Sequence, residues 1–227
     1  MDFVYNVLIT LLIIEYAGSL GSKDDCTCQV HPQMQVCHSD FVIRGKITST
    51  EDKELNYRSG FNVLQTTYTV RALKTYKKPK NFKGDIFKIT RSLERKCLHL
   101  KLVTREKYLI TGSYNEETRD FRIQMCSWVQ KFSTLNRFQK KSLKRKYLAN
   151  CDCDIFRMCE DDRTCLEKDE QFQRHTCNWR FHAAFPESYC YETHAFCKMT
   201  MDSNKQPLCV WKKDASFHDC QINATNT

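Results

Sequence analysis

No His-Glu-x-x-His, Gly-x-Ser-x-Gly, phosphate-binding loop or dinucleotide fingerprint occurs anywhere in the 227 residues. The usual sequence signs of metalloprotease, serine-hydrolase, nucleotide-cleaving and dehydrogenase chemistry are therefore missing, and no enzymatic activity is expected. The seven histidines (His31, His38, His99, His175, His182, His194, His218) are scattered, without a partner at metal-ligand spacing on one element, and read as surface or packing residues. No internal repeat and no low-complexity tract is present. Beyond the first 25 residues no stretch is apolar enough to cross a membrane, so no membrane span is expected.

What is present begins with an apolar run from Val4 to Ile14, broken only by Tyr5, Asn6 and Thr10. Small residues follow at Ala17, Gly18, Ser19, Gly21 and Ser22. The run is too short to span a bilayer, and residues 1–25 read as a secretory signal with a possible short pro-tail. All fourteen cysteines, Cys26 to Cys220, lie beyond it. An even number in an oxidising lumen argues for a disulfide framework before it argues for metal or thiol chemistry, including at Cys151-Asp-Cys153 with Cys159 and Cys165. A secreted, extracellular or matrix location follows as an expectation.

The net charge of +9 is unevenly spread. Residues 26–151 hold 26 Lys/Arg against 10 Asp/Glu, whereas residues 152–227 hold 9 against 13. Two units are expected, 26–151 and 152–227. The first carries five β-branched and aromatic runs separated by turn clusters: Phe41–Ile47, Thr66–Leu73, Asp85–Thr90, Lys107–Thr111 and Arg119–Met125. Five strands over this length suit a small closed sheet, of which the oligonucleotide/oligosaccharide-binding (OB) barrel is one. Thr48 to Gln65 reads as a projecting hairpin or loop. Residues 133–148 read as a helix capped by Ser133 or Thr134, with Leu135, Phe138, Leu143 and Tyr147 on one face. From Cys151 onward cysteines crowd together, and a small, loop-rich unit held by bridges rather than by a core is expected.

Two basic clusters stand out: Lys77, Lys78 and Lys80 with Lys83, and Lys140, Lys141, Lys144, Arg145 and Lys146. In a basic extracellular domain these suit sulfated glycosaminoglycans. Nucleic acid is not an expected partner, because the compartment is wrong and a barrel fold alone does not give a function. One sequon, Asn223-Ala224-Thr225, is compatible with glycosylation of an exposed tail.

The most informative constellation is Cys26-Thr27-Cys28, followed by Val30-His31-Pro32-Gln33 and Cys37. It resembles the start of the mature chain in the tissue inhibitors of metalloproteinases, of the netrin-like family. The resemblance continues through Asp40–Arg44, Lys107–Gly112, Thr134-Leu135, Gln139–Leu143, Tyr147, Cys151-Asp-Cys153, Cys177-Asn-Trp179 and Cys209-Val-Trp211. It takes in twelve of the fourteen cysteines.

That resemblance implies a mainly β chain with helices: an N-terminal OB-type five-stranded β-barrel and a small disulfide-rich C-terminal domain. It implies the bridges Cys26–Cys97, Cys28–Cys126, Cys37–Cys151, Cys153–Cys209, Cys159–Cys165 and Cys177–Cys197. Cys190 and Cys220 are additional and are expected to pair with each other; spacing alone fixes none of these pairs.

The implied function is inhibition of secreted zinc metalloproteinases by a likewise secreted monomer in a one-to-one complex. The protein would have no cofactor of its own and would bind the zinc of its target through the α-amine and carbonyl of Cys26. Thr27 would enter the specificity pocket. Arg95, Lys96, Cys97 and Leu98 would form a second contact ridge, and the loop at Tyr57 a third. The alternative is a netrin-like matrix-binding or signalling module without inhibition.

The sequence departs from the family's pattern at Gln29-Val30, where a proline is usual, and at the charged pair Arg95-Lys96. Chelation also needs Cys26 to be the first residue. Ser19 and Gly21 form the better signal-peptidase pair and leave Ser22–Asp25 attached, so a second trimming step is expected.

Overall fold

A computed structural model describes residues 30–56, 62–92, 101–124, 126–157, 174–179 and 188–225. Five strands close into a barrel: β1 (Phe41–Asn56), β2 (Asn62–Lys77), β3 (Ile86–Ser92), β4 (Lys107–Asn115) and β5 (Asp120–Arg122). Their order is β1-β2-β3-β5-β4, and pairing of β4 with β1 completes the circle. The ladders are antiparallel except β3–β5, where Ile89 lies opposite Phe121. A sixth strand, β6 (Val129–Lys131), occupies the stretch of β4's edge next to β5. The chain is thus mainly β with the expected OB-type five-stranded barrel, followed by a disulfide-rich C-terminal region.

Period-two alternation sorts the side chains into two cores. Phe41, Ile43 and Ile47 of β1 point into the barrel, where they meet Tyr68, Val70, Phe87, Ile89, Ile110 and Phe121. Val42 and Leu109 face outward, yet they are equally buried. They are covered by Val36, Leu135, Phe138, Leu143 and Tyr147 from the helical segments and by Phe196 from the C-terminal region. The strongly apolar Phe41-Val42-Ile43 run therefore reflects a strand covered on both faces. At Gly112 a Cβ would collide with the Arg122 carbonyl and the Phe41 ring, so glycine permits the close approach of β4 to its neighbours.

The first helix, α1 (Pro32–His38), precedes the barrel, and α2 (Arg137–Arg145) follows β6. The expected helix over 133–148 is shorter than its periodicity suggests. Ser133 and Thr134 do not cap it: Thr134 spends its hydroxyl and its N–H on the Lys131 carbonyl in a preceding turn. The cap is Asn136, whose Oδ1 accepts from the Gln139 N–H while Gln139 Oε1 accepts from the Asn136 N–H. This capping box fixes the start. After Arg145 the chain tightens into a 3-10 turn at Leu148–Asn150.

Beyond Cys151 come a parallel pair, β7 (Asp154–Arg157) and β8 (Thr176–Trp179), and a hairpin, β9 (Ala195–Met201) with β10 (Pro207–Lys213). Helix α3 (Ser188–His194) runs directly into β9, and α4 (Phe217–Thr225) closes the described chain. Cysteine dominates the packing here. Cys153, Cys177, Cys197 and Cys209 form one buried cluster, through the bridges Cys153–Cys209 and Cys177–Cys197. A third bridge, Cys190–Cys220, lies in a second cluster with Ala195 and Phe217.

Candidate functional site

The residues expected to touch a target (Cys26, Thr27, Cys28, Tyr57, Arg95, Lys96, Cys97 and Leu98) lie outside the described residues, as do Cys159 and Cys165. The expected bridges Cys26–Cys97 and Cys159–Cys165, and the Cys28 end of Cys28–Cys126, lie there too. Cys126 is itself disulfide-bonded. What the structure describes is the chain that follows the Cys26–Cys28 segment, from Val30 onward.

His31 is fully buried, one residue before α1. Its Nδ1 accepts from the Gln33 N–H at 3.2 Å and so caps the helix, with Pro32 at the first helical position. Its Nε2 lies 3.0 Å from the Tyr191 carbonyl and donates to it. One nitrogen accepts and the other donates, which specifies the neutral imidazole. Burial among Tyr147, Trp179 and Trp211 holds the imidazole neutral, its pKa pushed down to about 4.

Gln33 is equally buried and fully satisfied. Its Nε2 donates to the carbonyls of Asn150 and Cys197, both at 2.9 Å, and its Oε1 accepts from the Cys197 N–H at 2.9 Å. The helix ends at the Cys37–Cys151 bridge, and the Lys77 ammonium donates to the Cys37 carbonyl at 2.8 Å. Three independent restraints thus hold residues 31–37, at His31, Gln33 and Cys37. On the barrel side of α1 a cleft of about 190 Å³ opens between Val30, Met34, His38, Cys126 and Ser127.

The other expected contacts leave from defined places. Of the two readings for Thr48 to Gln65, the described residues favour the hairpin, because β1 and β2 remain paired out to Asn56 opposite Asn62; residues 57–61 lie outside the described residues. Tyr57 follows directly on that last pair. The chain toward Arg95–Leu98 leaves β3 at Ser92, which pairs with Gln65 of the same hairpin.

Of the basic residues, Lys78, Lys80 and Lys83 are exposed in the β2–β3 connection, and Lys141, Lys144 and Arg145 are exposed on α2. The other three are engaged. Lys77 is held by Cys37, and burial lowers its pKa. Lys146 lies 4.4 Å above the Phe138 ring and 4.7 Å above that of Phe196, and burial likewise lowers its pKa. Lys140 reaches the Phe132 ring at 5.5 Å. Asn223 is exposed but sits in α4, anchored by Cys220, and not in a loose tail.

The sulfur atoms of Cys153, Cys197 and Cys209 lie within 4.8 Å of one another, but all three are in bridges, so this cluster offers no thiolate to a metal. No helix among the described residues is long and apolar enough to cross a membrane. The pairing of Gln33 with a residue 164 positions away left no sign in composition or periodicity. The only local cue was His31-Pro32, which suits a helix start.

Residues 24–211 match the family model described as "Tissue inhibitor of metalloproteinase". Human "Metalloproteinase inhibitor 2" is 30% identical over 152 residues, covering 66% of this chain and 68% of the relative. Rat "Metalloproteinase inhibitor 4" is 27% identical over 195 residues, covering 84% of this chain and 82% of the relative. Bovine "Metalloproteinase inhibitor 2" is 32% identical over 142 residues, 61% of this chain and 63% of the relative.

Proposed function

The chain belongs to the tissue inhibitor of metalloproteinase family, and from that premise we propose that it blocks secreted zinc metalloproteinases through a free amino terminus at Cys26. It is an inhibitor of metalloproteinases and not an enzyme. The finer mechanism follows from the chemistry of a catalytic zinc, which keeps one exchangeable water beside its three protein ligands. The α-amine and carbonyl oxygen of Cys26 form a five-membered chelate that displaces this water, and Thr27 enters the adjoining pocket. The amine binds unprotonated, so the metal competes with a proton on a group whose reference pKa is about 8.

The observation that carries this reading is the rigid mounting of the segment that follows. His31, Gln33 and Cys37 tie it to Tyr191, Cys197 and Cys151. Chain next to the edge that is already held before association leaves less conformational entropy to lose on binding. As the family resemblance implies, Arg95-Lys96-Cys97-Leu98 would form a second contact ridge and the loop at Tyr57 a third.

The deciding experiment is mass spectrometry of the secreted protein combined with titration against a purified matrix metalloproteinase. The reading requires a species beginning at Cys26 that inhibits one to one, and a species beginning at Ser22 that does not. Protein beginning at Cys26 that leaves the enzyme active would instead favour a matrix-binding or signalling module.

A second reading concerns sulfated glycosaminoglycans. It is favoured by the exposure of Lys78, Lys80 and Lys83 on one connection and of Lys141, Lys144 and Arg145 on one helix. Lys77 and Lys146 contribute less, because their ammonium groups are engaged within the protein.

A further inference from the structure

Helices α3 and α4, stapled by Cys190–Cys220, enclose a groove of about 470 Å³ on the face of the C-terminal region. Tyr189, His194, Ser216, Asp219 and Asn223 line it. Tyr189 is 62% exposed and directly precedes Cys190 of that bridge. On α4, Asp219 and Asn223 are four residues apart and Cys220 and Asn223 three, so all three lie on the face turned toward α3. Asn223 opens the sequence Asn223-Ala224-Thr225, and its side chain is exposed at the rim of the groove. A carbohydrate acceptor thus stands beside a concave surface with one open aromatic ring and a few polar groups, the usual make-up of a small-ligand site.

We propose that Asn223 is N-glycosylated and that its first N-acetylglucosamine is seated in this groove, one face of the sugar against the Tyr189 ring. Asp219 and Ser216 serve as hydrogen-bond partners for its hydroxyl and acetamido groups. In the transfer, the Asn223 amide nitrogen bonds to the anomeric carbon of a polyprenyl-pyrophosphate-linked oligosaccharide. The bond from that carbon to the pyrophosphate oxygen breaks, its electron pair leaves with the polyprenyl pyrophosphate, and one amide proton passes to a base. Once attached, the sugar is a ligand at high effective concentration for the folded state alone, and it stabilises that state by mass action. The inference shares with the proposed function only the passage of the chain through the secretory lumen.

The test uses the full chain secreted from a glycosylating host, as wild type and as the exposed-surface variants Tyr189→Ser and Tyr189→Phe. Peptide mapping should find Asn223 occupied. After trimming to a single N-acetylglucosamine, the acetyl methyl resonance should be shifted upfield in wild type and Tyr189→Phe. In Tyr189→Ser it should return to its free-sugar position. Complete removal of the sugar should lower the Tm of wild type by about 2–4 °C, and that of Tyr189→Ser by less than half as much. An unmodified Asn223 beside a modified control sequon overturns the inference, and so does an attached sugar with an unshifted methyl and an equal Tm change in all three proteins. Inhibition measured on the same preparations keeps either failure separate from that of the inhibitory reading.

Discussion

The side-chain amide of Gln33 pairs with the backbone of Cys197 as a neighbouring β-strand would, donating to its carbonyl and accepting from its N–H, each at 2.9 Å. Side chain and backbone are both fully buried. An amide is the only common side chain that offers a donor and an acceptor in this geometry. The pair links the chain beside the Cys26–Cys28 segment to the Cys177–Cys197 bridge at the other end of the sequence.

Gln33→Ala removes the partner of the buried Cys197 N–H and carbonyl and of the half-buried Asn150 carbonyl. The two buried groups cost about 1–3 kcal/mol each when orphaned, so a loss of roughly 2–6 kcal/mol is expected in denaturant unfolding. A loss below about 0.5 kcal/mol would mean that the groups find other partners and that the clamp holds nothing.

Two groups give stability opposite slopes with pH. His31, with its pKa lowered to about 4 from 6.5, stays neutral in the fold while the unfolded chain takes up a proton. Its contribution is complete above pH 6.5 and is lost as pH falls toward 4, up to about 3 kcal/mol. Glu192, half-buried on α3, has its carboxyl pKa raised by burial to about 7 from 4.5. The unfolded chain ionises first, so this group lowers stability as pH rises from 4.5 to 7. Urea midpoints between pH 4 and 8 should therefore steepen on the acid side in Glu192→Gln, as the His31 loss loses its counterweight. Parallel curves for wild type and variant would contradict this.

Cys37 and Cys151 are 114 residues apart, and Cys177 and Cys197 are 20 apart. In the chain-entropy model the longer closure is worth about 5 kcal/mol and the shorter about 3. The Cys37→Ala/Cys151→Ala double variant should therefore unfold at markedly lower urea than wild type. It should also inhibit more weakly, since the end of α1 is released. Unchanged inhibition would show that His31 and Gln33 suffice to hold the edge.

Neutralising Lys78, Lys80 and Lys83 to Gln should lower the salt concentration that elutes the protein from heparin, with Tm unchanged. Lys77→Gln should do the reverse, lowering Tm through loss of the Cys37 carbonyl's partner while leaving elution nearly as it was. Elution at the wild-type salt concentration after Lys141, Lys144 and Arg145 are neutralised as well would remove the glycosaminoglycan reading.

Strands were the most legible part of the fold. Phe41–Ile47 and Lys107–Thr111 announce themselves because β-branched and aromatic side chains fill a barrel interior. Their ends were less so. The hairpin out to Asn56 is strand although Glu51-Asp52-Lys53-Glu54 looks like a loop, because paired backbone tolerates exposed charge on both faces. The short β5 and β6 are set by closure of the barrel, which no local pattern encodes. Helix α2 begins at Asn136 because Thr134 is drawn into the turn before it. At the site, cysteine positions and His31-Pro32 could be read directly. The partners of His31 and Gln33 could not, since Tyr191 and Cys197 meet them only through tertiary packing.

The separation of Gln33 from Cys197 also sets an order of events during synthesis. A chain leaves the ribosome at about 5–20 residues per second, so the 164 residues between them take roughly ten to thirty seconds to appear. For that interval the amide of Gln33 has no protein partner at Cys197, and the His31 ring none at Tyr191. Residues 31–33 are thus made early yet are among the last to gain their partners, and α1 is locked in place only when the final third of the chain has folded.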